Sequence, residues 1–339
     1  MKGIVIWAHS KCRSTFALYR AIRDAADVPV RLVSREGIRN YRVDQGQCED
    51  DFADMDCSLI GEDWGAAEKV LEETAGWLHL VAAYQVSPTF RKVILEAKRR
   101  GDVVGVISEA PWNAQHGFGR LLWPLYLKTM LRHRVREVVF AADFLVNYSG
   151  DKDETALTLG WDRGKIIPFG YFPSSLSARE GASVTDGRKG FKLLATAAKG
   201  RLGRGEDIVR AAVKSLGEGV ELVLPAFVGV DEVVRLYEQC DVFIAAGRDE
   251  PWGIRVNDAL NFGKPVLVSD GMGAKKLVEE TGAGLVFKSG SAADLAVRIR
   301  ELVRNYEHFA VRAREAAGKI SPTAKARELL AEIERRIAK

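Results

Sequence analysis

Short apolar runs alternate with helical patterns along the first half of the chain. The runs have the length and composition of strands that are buried on both faces of a sheet. They lie at residues 3–8, 30–33, 77–82, 103–107, 138–141 and 166–169. Apolar residues at helical spacing occupy the intervals at residues 14–26, 64–74 and 88–100. This alternation predicts a parallel sheet covered by helices.

The second half shows the same alternation after a break. Residues 173–190 are rich in serine, glycine and charge, so we predict a linker there. Strands are predicted at residues 191–196, 220–224, 242–245, 265–269 and 284–287. Helices are predicted at residues 207–216, 231–238, 252–262, 274–280, 291–304 and 322–338. The pattern therefore predicts two α/β domains, residues 1–172 and 191–319.

Length and composition agree with two domains. The chain has 339 residues, of which 47% are hydrophobic, enough for two cores of ordinary size. No apolar run reaches the roughly eighteen residues of a membrane span, and an apolar strand begins at Gly3 where a signal peptide would lie. We therefore expect a cytoplasmic protein. The four cysteines form no C-x-x-C pair and lie near no histidine pattern, which favours neither disulfides nor zinc.

Positive charge is concentrated in residues 120–136. No acid occurs there, and apolar residues separate the cations, which are Arg120, Lys128, Arg132, His133, Arg134 and Arg136. Such a segment can lie in a membrane interface, with its cations near anionic head groups. Equally, its apolar residues can pack into the first domain while its cations face solvent. A net charge of only +4 and the lack of a recognised nucleic-acid-binding module argue against a nucleic-acid partner.

Two carboxylates stand eight residues apart after an apolar strand. Glu250 lies in a loop with proline and glycine, and Asp258 lies about two turns further on, inside the next predicted helix. We expect this helix to start near Trp252 or Gly253, which leaves the N–H groups around Gly253 and Ile254 without intrahelical partners. Such N–H groups form an anion site, while the two carboxylates can bind sugar hydroxyls and a ribose diol. The segment predicts a site for a nucleotide sugar.

A basic, glycine-rich loop precedes the predicted helix at 207–216. It contains Lys199, Arg201 and Arg204. Glycine lets the backbone approach a ligand closely, and lysine or arginine supplies the charge that a departing pyrophosphate needs. Because this loop and the Glu250 loop both follow strands of one predicted sheet, we expect them to meet at its carboxyl edge.

The Glu250 segment resembles the E-x7-E motif of retaining glycosyltransferases of family 4, which have the GT-B fold. In that family E-P-[FW]-G opens a helix and G-x-P-V follows it. Here the residues are Glu250-Pro-Trp-Gly and Gly263-Lys-Pro-Val, with Asp258 in place of the second glutamate.

The basic loop resembles the G-R-x-x-x-x-K-G loop of the same family, whose two cations bind the diphosphate. An ungapped alignment places Lys199 on the arginine and Arg204 on the lysine, and Arg201 competes for either position.

This resemblance implies an α/β protein with the GT-B fold, in which two Rossmann-like domains face an interdomain cleft. Residues 1–172 are then expected to bind the acceptor, and residues 191–319 the nucleotide sugar. In such proteins the last helix commonly crosses back to the first domain, and residues 320–339 are expected to do so.

The implied reaction transfers a hexose-type sugar from a UDP- or GDP-sugar, with retention of configuration. The implied acceptor is a glycan or a lipid-linked molecule of cell-surface polysaccharide or glycolipid synthesis, and neither a metal nor another cofactor is expected. Lys199, Arg204 and the N–H groups near Gly253 would stabilise the departing diphosphate, while Glu250 orients the sugar.

In the first domain, Glu109 follows the predicted strand at 103–107. Many relatives carry a histidine there, close to the reactive carbon of the sugar. A carboxylate can stabilise developing positive charge or bind a hydroxyl, so Glu109 is expected to act in catalysis. His116 is either a substitute for that histidine or an ordinary surface residue.

The loop after the first strand contains His9, Lys11 and Arg13. As part of a glycosyltransferase, this loop is expected to bind an anionic acceptor. Arg13-Ser14-Thr15 also resembles the phosphate loop of sulfotransferases, which is a second candidate function. A third candidate is a non-catalytic sugar-nucleotide-binding protein on a degenerate GT-B scaffold, because the family histidine is missing and Asp258 replaces a glutamate.

Overall fold

The computed structural model describes residues 1–43, 52, 55–109, 118–150, 153–172, 190–195, 205–225 and 229–338. The chain divides into two compact units. Unit 1 contains Met1–Val43, Gln47–Gly170 and Ala326–Lys339, and unit 2 contains Tyr171–Lys325. The linker predicted at 173–190 lies outside the described residues, apart from Gly190.

Unit 1 is built on a parallel sheet. Its strands are β1 Ile4–Ser10, β2 Val30–Glu36, β3 Cys57–Leu59, β4 Leu78–Val81, β5 Val103–Ser108, β6 Phe144–Asn147 and β7 Ile166–Pro168. These seven strands are ordered β3-β2-β1-β4-β5-β6-β7. The helices are α1 Arg13–Ala25, α2 Asn40–Val43, α3 Trp64–Glu73, α4 Pro88–Arg99, α5 Phe118–Tyr126, α6 Arg132–Ala141 and α7 Glu154–Leu159. A π-helical turn, Leu127–Leu131, joins α5 to α6, and a 3-10 turn, Arg163–Lys165, precedes β7.

Unit 2 contains a second, smaller parallel sheet. Its strands are β8 Phe191–Ala195, β9 Val220–Val223, β10 Val242–Ala245, β11 Val266–Ser269 and β12 Gly284–Phe287. They are ordered β12-β11-β10-β8-β9. The helices are α8 Glu206–Leu216, α9 Val230–Gln239, α10 Arg255–Asn261, α11 Lys275–Thr281, α12 Ala292–Arg304 and α13 Tyr306–Lys319.

The central strands explain the unbroken apolar runs in the sequence. Every residue of β4, β6, β10 and β11 is buried, because helices cover both faces of a parallel sheet. His79 of β4 is a polar exception, and its Nδ1 accepts a hydrogen bond from Trp7 Nε1 at 3.1 Å. Cys12, Cys57 and Cys240 are free thiols. Among the described helices, none combines the length and apolar composition needed to span a membrane.

The last helix, α14 Pro322–Ile337, packs within unit 1 from Ala326 onward. Its buried residues are Ala326, Leu329, Leu330 and Ile333. Arg336 donates to the carbonyl oxygens of Gly164 and Ile166 beside β7, the latter at 3.0 Å. These bonds fix the end of the helix against the edge of the unit 1 sheet.

Two predicted elements are wrong in detail. Residues 138–141 are helical, because Val135, Val138 and Val139 form one buried face of α6 while Phe140 is exposed. The helix predicted to start at Trp252 or Gly253 begins at Arg255, because Gly253 has a φ of 107° and turns the chain before the helix.

Candidate active site

The Glu250 loop, residues 246–253, follows β10 at the carboxyl edge of the unit 2 sheet. β10 lies between β8 and β11. The Glu250 N–H donates to Gly271 O, and the Gly273 N–H donates to Glu250 O, both at 3.2 Å. Glu250 thereby pairs with Met272 as an isolated parallel bridge. The backbone of Glu250 is held against the loop that follows β11.

Two glycines set the position of the Glu250 carboxylate. A Cβ on Gly247 would lie 2.9 Å from Glu250 Oε2 and 3.1 Å from Met272 Sδ. A Cβ on Gly253 would lie 2.2 Å from Met272 Cε. The carboxylate therefore folds back over Gly247, and the Met272 side chain fills the space between the two glycines.

Trp252 lies in the core of unit 2, where its side chain is only 5% exposed. Its Nε1 donates to Asn257 Oδ1 at 2.7 Å, and Asn257 Nδ2 donates to Tyr171 O at 3.0 Å. From the resemblance to family 4 glycosyltransferases, Trp252 is also expected to bind the donor, and this stays a prediction. Its burial and its hydrogen bond favour holding the Glu250 loop onto α10.

Asp258 lies inside α10, as expected from the sequence, and is only 7% exposed. Tyr237 of α9 faces it, and the phenol of Tyr237 donates to Arg255 O at 3.2 Å. Burial raises the pKa of Tyr237, and the charge of Asp258 raises this pKa further. Asp258 thus lies in the helix that follows the Glu250 loop, and its side chain is largely shielded from solvent.

Of the basic loop, the structure describes the end at Gly205. Lys199, Arg201 and Arg204 lie outside the described residues. Gly205 is the N-cap of α8, with a φ of 70°. A Cβ on Gly205 would lie 2.1 Å from the carbonyl oxygen of Ala246. The end of the basic loop therefore lies in direct contact with the start of the Glu250 loop.

In unit 1, Glu109 is exposed at the carboxyl end of β5. Gln85 Nε2 donates to Ser108 Oγ at 3.1 Å, and this hydroxyl donates to Glu109 O at 2.7 Å. The neighbouring Tyr148 follows β6, and its N–H donates to Ser108 O at 2.9 Å. Burial raises the pKa of the Tyr148 phenol, and the Glu109 charge raises it further. His116 lies outside the described residues.

His9, Lys11 and Arg13 lie at the carboxyl end of β1 and the start of α1. Arg39 Nη2 is hydrogen-bonded to His9 Nε2, and since a guanidinium can only donate, His9 accepts and is neutral. Burial lowers the pKa of His9, and the charges of Arg35 and Arg39 lower it further. His9 therefore offers an anionic acceptor no positive charge.

The hydroxyls of Ser14 and Thr15 both lie 3.2 Å from Cys12 Sγ, and Thr15 Oγ1 donates to Ser10 O at 3.3 Å. These local contacts occupy the hydroxyls on which the resemblance to a sulfotransferase phosphate loop depends.

Sequence reasoning missed the residues that surround His9. Arg39 Nε donates to Glu36 Oε2 at 2.8 Å, and Arg35 Nη1 donates to Glu62 Oε1 at 2.9 Å. These partners are far apart in sequence or belong to no motif, so only the strand order brings them to His9.

The family described as Glycosyl transferases group 1 matches residues 200–320. Residues 200–320 thus form a group 1 glycosyltransferase domain. The match includes the end of the basic loop, Glu250 and Asp258. Among curated protein sequences, none matches this chain.

Solved structures resemble the glycosyltransferase along its whole length. HepE of Anabaena in complex with UDP is 13% identical, with a TM-score of 0.69, and the match covers 99% of this chain and 100% of HepE. HepE in complex with UDP-glucose gives a TM-score of 0.62 at 13% identity, with 98% of this chain and 99% of HepE covered.

The lipopolysaccharide outer core galactosyltransferase WaaB is 10% identical, with a TM-score of 0.70, and the match covers 98% of this chain and 99% of WaaB. The two parallel, helix-covered sheets are those of the GT-B fold, and the chain is a glycosyltransferase.

Proposed function

We propose that this glycosyltransferase transfers a hexose-type sugar from a UDP-sugar to a glycan or lipid-linked acceptor, with retention of configuration. UDP is favoured over GDP because HepE binds UDP and UDP-glucose. A role in cell-surface polysaccharide or glycolipid synthesis is supported by WaaB, a galactosyltransferase of the lipopolysaccharide outer core.

The contact between Gly205 and Ala246 carries this proposal. It brings Gly205, at the end of the basic loop, to the start of the Glu250 loop at one edge of the sheet. We propose that the cations of the basic loop lie on one side of this edge and the Glu250 carboxylate on the other. Such a site would match the two charged ends of a nucleotide sugar, namely the diphosphate and the sugar carbon that becomes positive.

In the proposed reaction, the bond between the anomeric carbon and the diphosphate oxygen breaks. Lys199, Arg204 and the N–H groups of Gly253 and Ile254 stabilise the charge on the diphosphate, and Glu250 orients the sugar as oxocarbenium character develops. The acceptor oxygen bonds to the carbon on the face that the diphosphate leaves, and its proton passes to the diphosphate. The bond broken, the bond formed and the proton are all accounted for by donor and acceptor, so the proposed reaction uses neither a metal nor a further cofactor.

The acceptor is proposed to bind at the carboxyl edge of unit 1. Lys11 and Arg13 supply positive charge for an anionic acceptor, and His9 supplies hydrogen bonds as a neutral imidazole. Glu109, whose carbonyl oxygen accepts a hydrogen bond from Ser108, is proposed to bind a sugar hydroxyl or to stabilise positive charge.

We further propose a cytoplasmic protein that contacts anionic membranes through residues 120–136. Leu127, Leu131 and Val135 of this segment are buried in unit 1. Leu125 and Met130 are 58% and 64% exposed, and Arg132, His133, Arg134 and Arg136 are exposed as well. Apolar side chains exposed beside cations favour an anionic lipid surface.

A thermal-shift screen followed by turnover tests the function. We expect UDP to raise the melting temperature more than GDP or adenosine 3′,5′-bisphosphate, because a ligand that binds only the folded state stabilises it. Release of UDP from UDP-glucose or UDP-galactose would then identify the donor. Binding of UDP without turnover of either sugar would support the non-catalytic alternative, and a preference for the adenosine bisphosphate would support the sulfotransferase alternative.

A further inference from the structure

Arg248 lies two residues before Glu250 and makes a side-chain contact with α8. Its Nη2 donates to Asp207 Oδ2 at 2.5 Å, and Asp207 lies in the first turn of α8. The basic loop ends directly before this turn, at Gly205. The ion pair therefore connects the Glu250 loop with the helix that carries the basic loop.

The backbone of Arg248 is held by two further loops. Ser289 Oγ, after β12, donates to Arg248 O at 3.3 Å, and the Ser289 N–H donates to Asp270 Oδ1 at 2.8 Å. A Cβ on Gly271 would lie 2.2 Å from Arg248 O. Arg248 thus contacts residues that follow β11 and β12 as well as the start of α8.

These contacts are complementary to those of Glu250 itself. The backbone of Glu250 is hydrogen-bonded to Gly271 and Gly273, on the β11 side of the loop. Arg248 fixes the same loop toward α8, the side on which the diphosphate is proposed to bind. A shift of this loop would change the distance between Glu250 and the start of α8, which the basic loop directly precedes.

We propose that Arg248 is a positioning residue that, together with Asp207, holds Glu250 at the distance from the basic loop that sugar transfer requires. The proposal rests on the proposed function of Glu250. Arg248 and Asp207 have side chains that are 39% and 55% exposed, and ion pairs so exposed contribute little to stability. A displacement of about 1 Å at a reacting centre can nevertheless lower the rate roughly 100-fold.

The test uses Arg248→Gln, Asp207→Asn and the double variant that combines them. The conservative variant Arg248→Lys is compared with these three. The matched control is Arg312→Gln, which removes an ion pair on α13. In that pair, the side chain of Arg312 is 51% exposed and that of Glu315 is 52% exposed. Hydrogen exchange of the Glu250 loop is measured for each, with kcat and KM for UDP release from UDP-glucose and the melting temperature.

We expect each single variant to exchange the loop amides roughly 10-fold faster and to lower kcat roughly 10- to 100-fold, because the loop opens more often and misplaces Glu250. The double variant should be no worse than either single variant, since both remove one interaction. Arg248→Lys should recover most of kcat, while KM and the melting temperature change little. The control should match the wild type.

Unchanged loop exchange in Arg248→Gln and Asp207→Asn would overturn the proposal, whatever the activity. Additive effects in the double variant would overturn it too. A failure of the proposed function is detected separately, by the activity of Glu250→Gln. A fully active Glu250→Gln enzyme would contradict the proposed function. Normal loop exchange in the Arg248 and Asp207 variants would contradict only the role of Arg248.

Discussion

At the scale of single residues, the position of Glu250 depends on neighbours that lack a side chain. Gly247 leaves room for the carboxylate, and Gly253 leaves room for Met272. The Glu250 loop is therefore sensitive to the addition of one methyl group.

Gly253→Ala is expected to lower both stability and turnover. The φ of 107° at Gly253 costs an alanine roughly 1–3 kcal/mol. The added Cβ, 2.2 Å from Met272 Cε, would also push Met272 toward Gly247 and the Glu250 carboxylate. Urea unfolding and kcat measure the two effects. Gly290→Ala is the control, because Gly290 also has a positive φ, of 80°, but no atom lies within 4 Å of the position of an added Cβ. If both variants lost turnover equally, the contact with Met272 would not explain the loss.

His79 is a buried residue that no part of the proposed reaction uses. Because Trp7 donates to its Nδ1, the neutral imidazole carries its proton on Nε2, which lies 3.5 Å from Asp102 Oδ2. Burial is the main cause that lowers the pKa of His79 from 6.5 to about 4. The folded protein therefore holds this histidine neutral where the unfolded chain would protonate it.

The lowered pKa of His79 predicts that the folded protein loses stability in acid. A lowered pKa gives stability that is fully present above pH 6.5 and is lost as the pH falls toward 4, by up to about 3 kcal/mol. Urea unfolding at pH 7 and pH 4.5 should show a smaller loss for His79→Gln than for the wild type. His308→Gln, at an exposed position, should behave as the wild type does. Equal pH dependence in all three proteins would contradict the role of His79.

Local motifs led to the prediction that Glu250, Asp258 and the basic loop form one site, and the structure brings the end of that loop, Gly205, against the start of the Glu250 loop. The motif did not reveal that Asn257 holds the indole of Trp252 in the core. The pairing of Arg248 with Asp207 was not predictable either, since it depends on how two loops meet at one sheet edge.

At the scale of elements, the late start of α10 matters most for the site. The turn at Gly253 separates the Glu250 loop from the helix, and Asp258 lies in the helix among buried residues. Loop and helix thus hold the two carboxylates independently, and we propose that Glu250 binds the sugar and Asp258 the ribose.

Asp258→Asn is expected to weaken UDP binding. The loss of a charged hydrogen-bonding group costs roughly 1.5–3 kcal/mol, or about 10- to 100-fold in affinity. Asparagine has the same shape, so the packing beside Tyr237 should persist. Calorimetric titration with UDP measures the change, and Glu279→Gln on the exposed face of α11 is the control. Unchanged UDP affinity in Asp258→Asn would remove Asp258 from the site.

The exposed apolar side chains of α5 and the π-helical turn make the membrane proposal testable. Leu125→Glu and Met130→Glu should each lower binding to vesicles of phosphatidylcholine with phosphatidylglycerol by roughly 10-fold, because each change removes apolar area and adds like charge. Val311→Glu places the same change at an exposed position of α13 and should have little effect. Cosedimentation measures the binding. Equal binding by all variants would show that this surface does not contact lipid.

At the scale of the whole molecule, the alternation of apolar runs and helical patterns predicted both parallel sheets. It could not predict the strand orders, because an apolar run shows that a strand is buried and carries no information on which strands lie beside it. The short edge strand β3, the strand β6 and the helix α13 were not predicted. Residues 138–141 were misassigned, since a continuous apolar run fits a buried strand and a helix face alike.

The fold also explains why the two predicted loops meet. β8 and β10 are neighbours in the unit 2 sheet, so the loops at their carboxyl ends lie side by side. The proposal that the cations of the basic loop act together with Glu250 at this edge is the central claim of the account.

Turnover by Glu250→Gln tests that claim most directly. The substitution removes the charge of the carboxylate and keeps its shape, so UDP affinity and melting temperature should match the wild type. We predict that kcat for UDP release from the sugar donor falls about 100-fold or more, because stabilisation of the transition state is lost. A kcat within about threefold of the wild type, which corresponds to less than about 1 kcal/mol, would contradict the account.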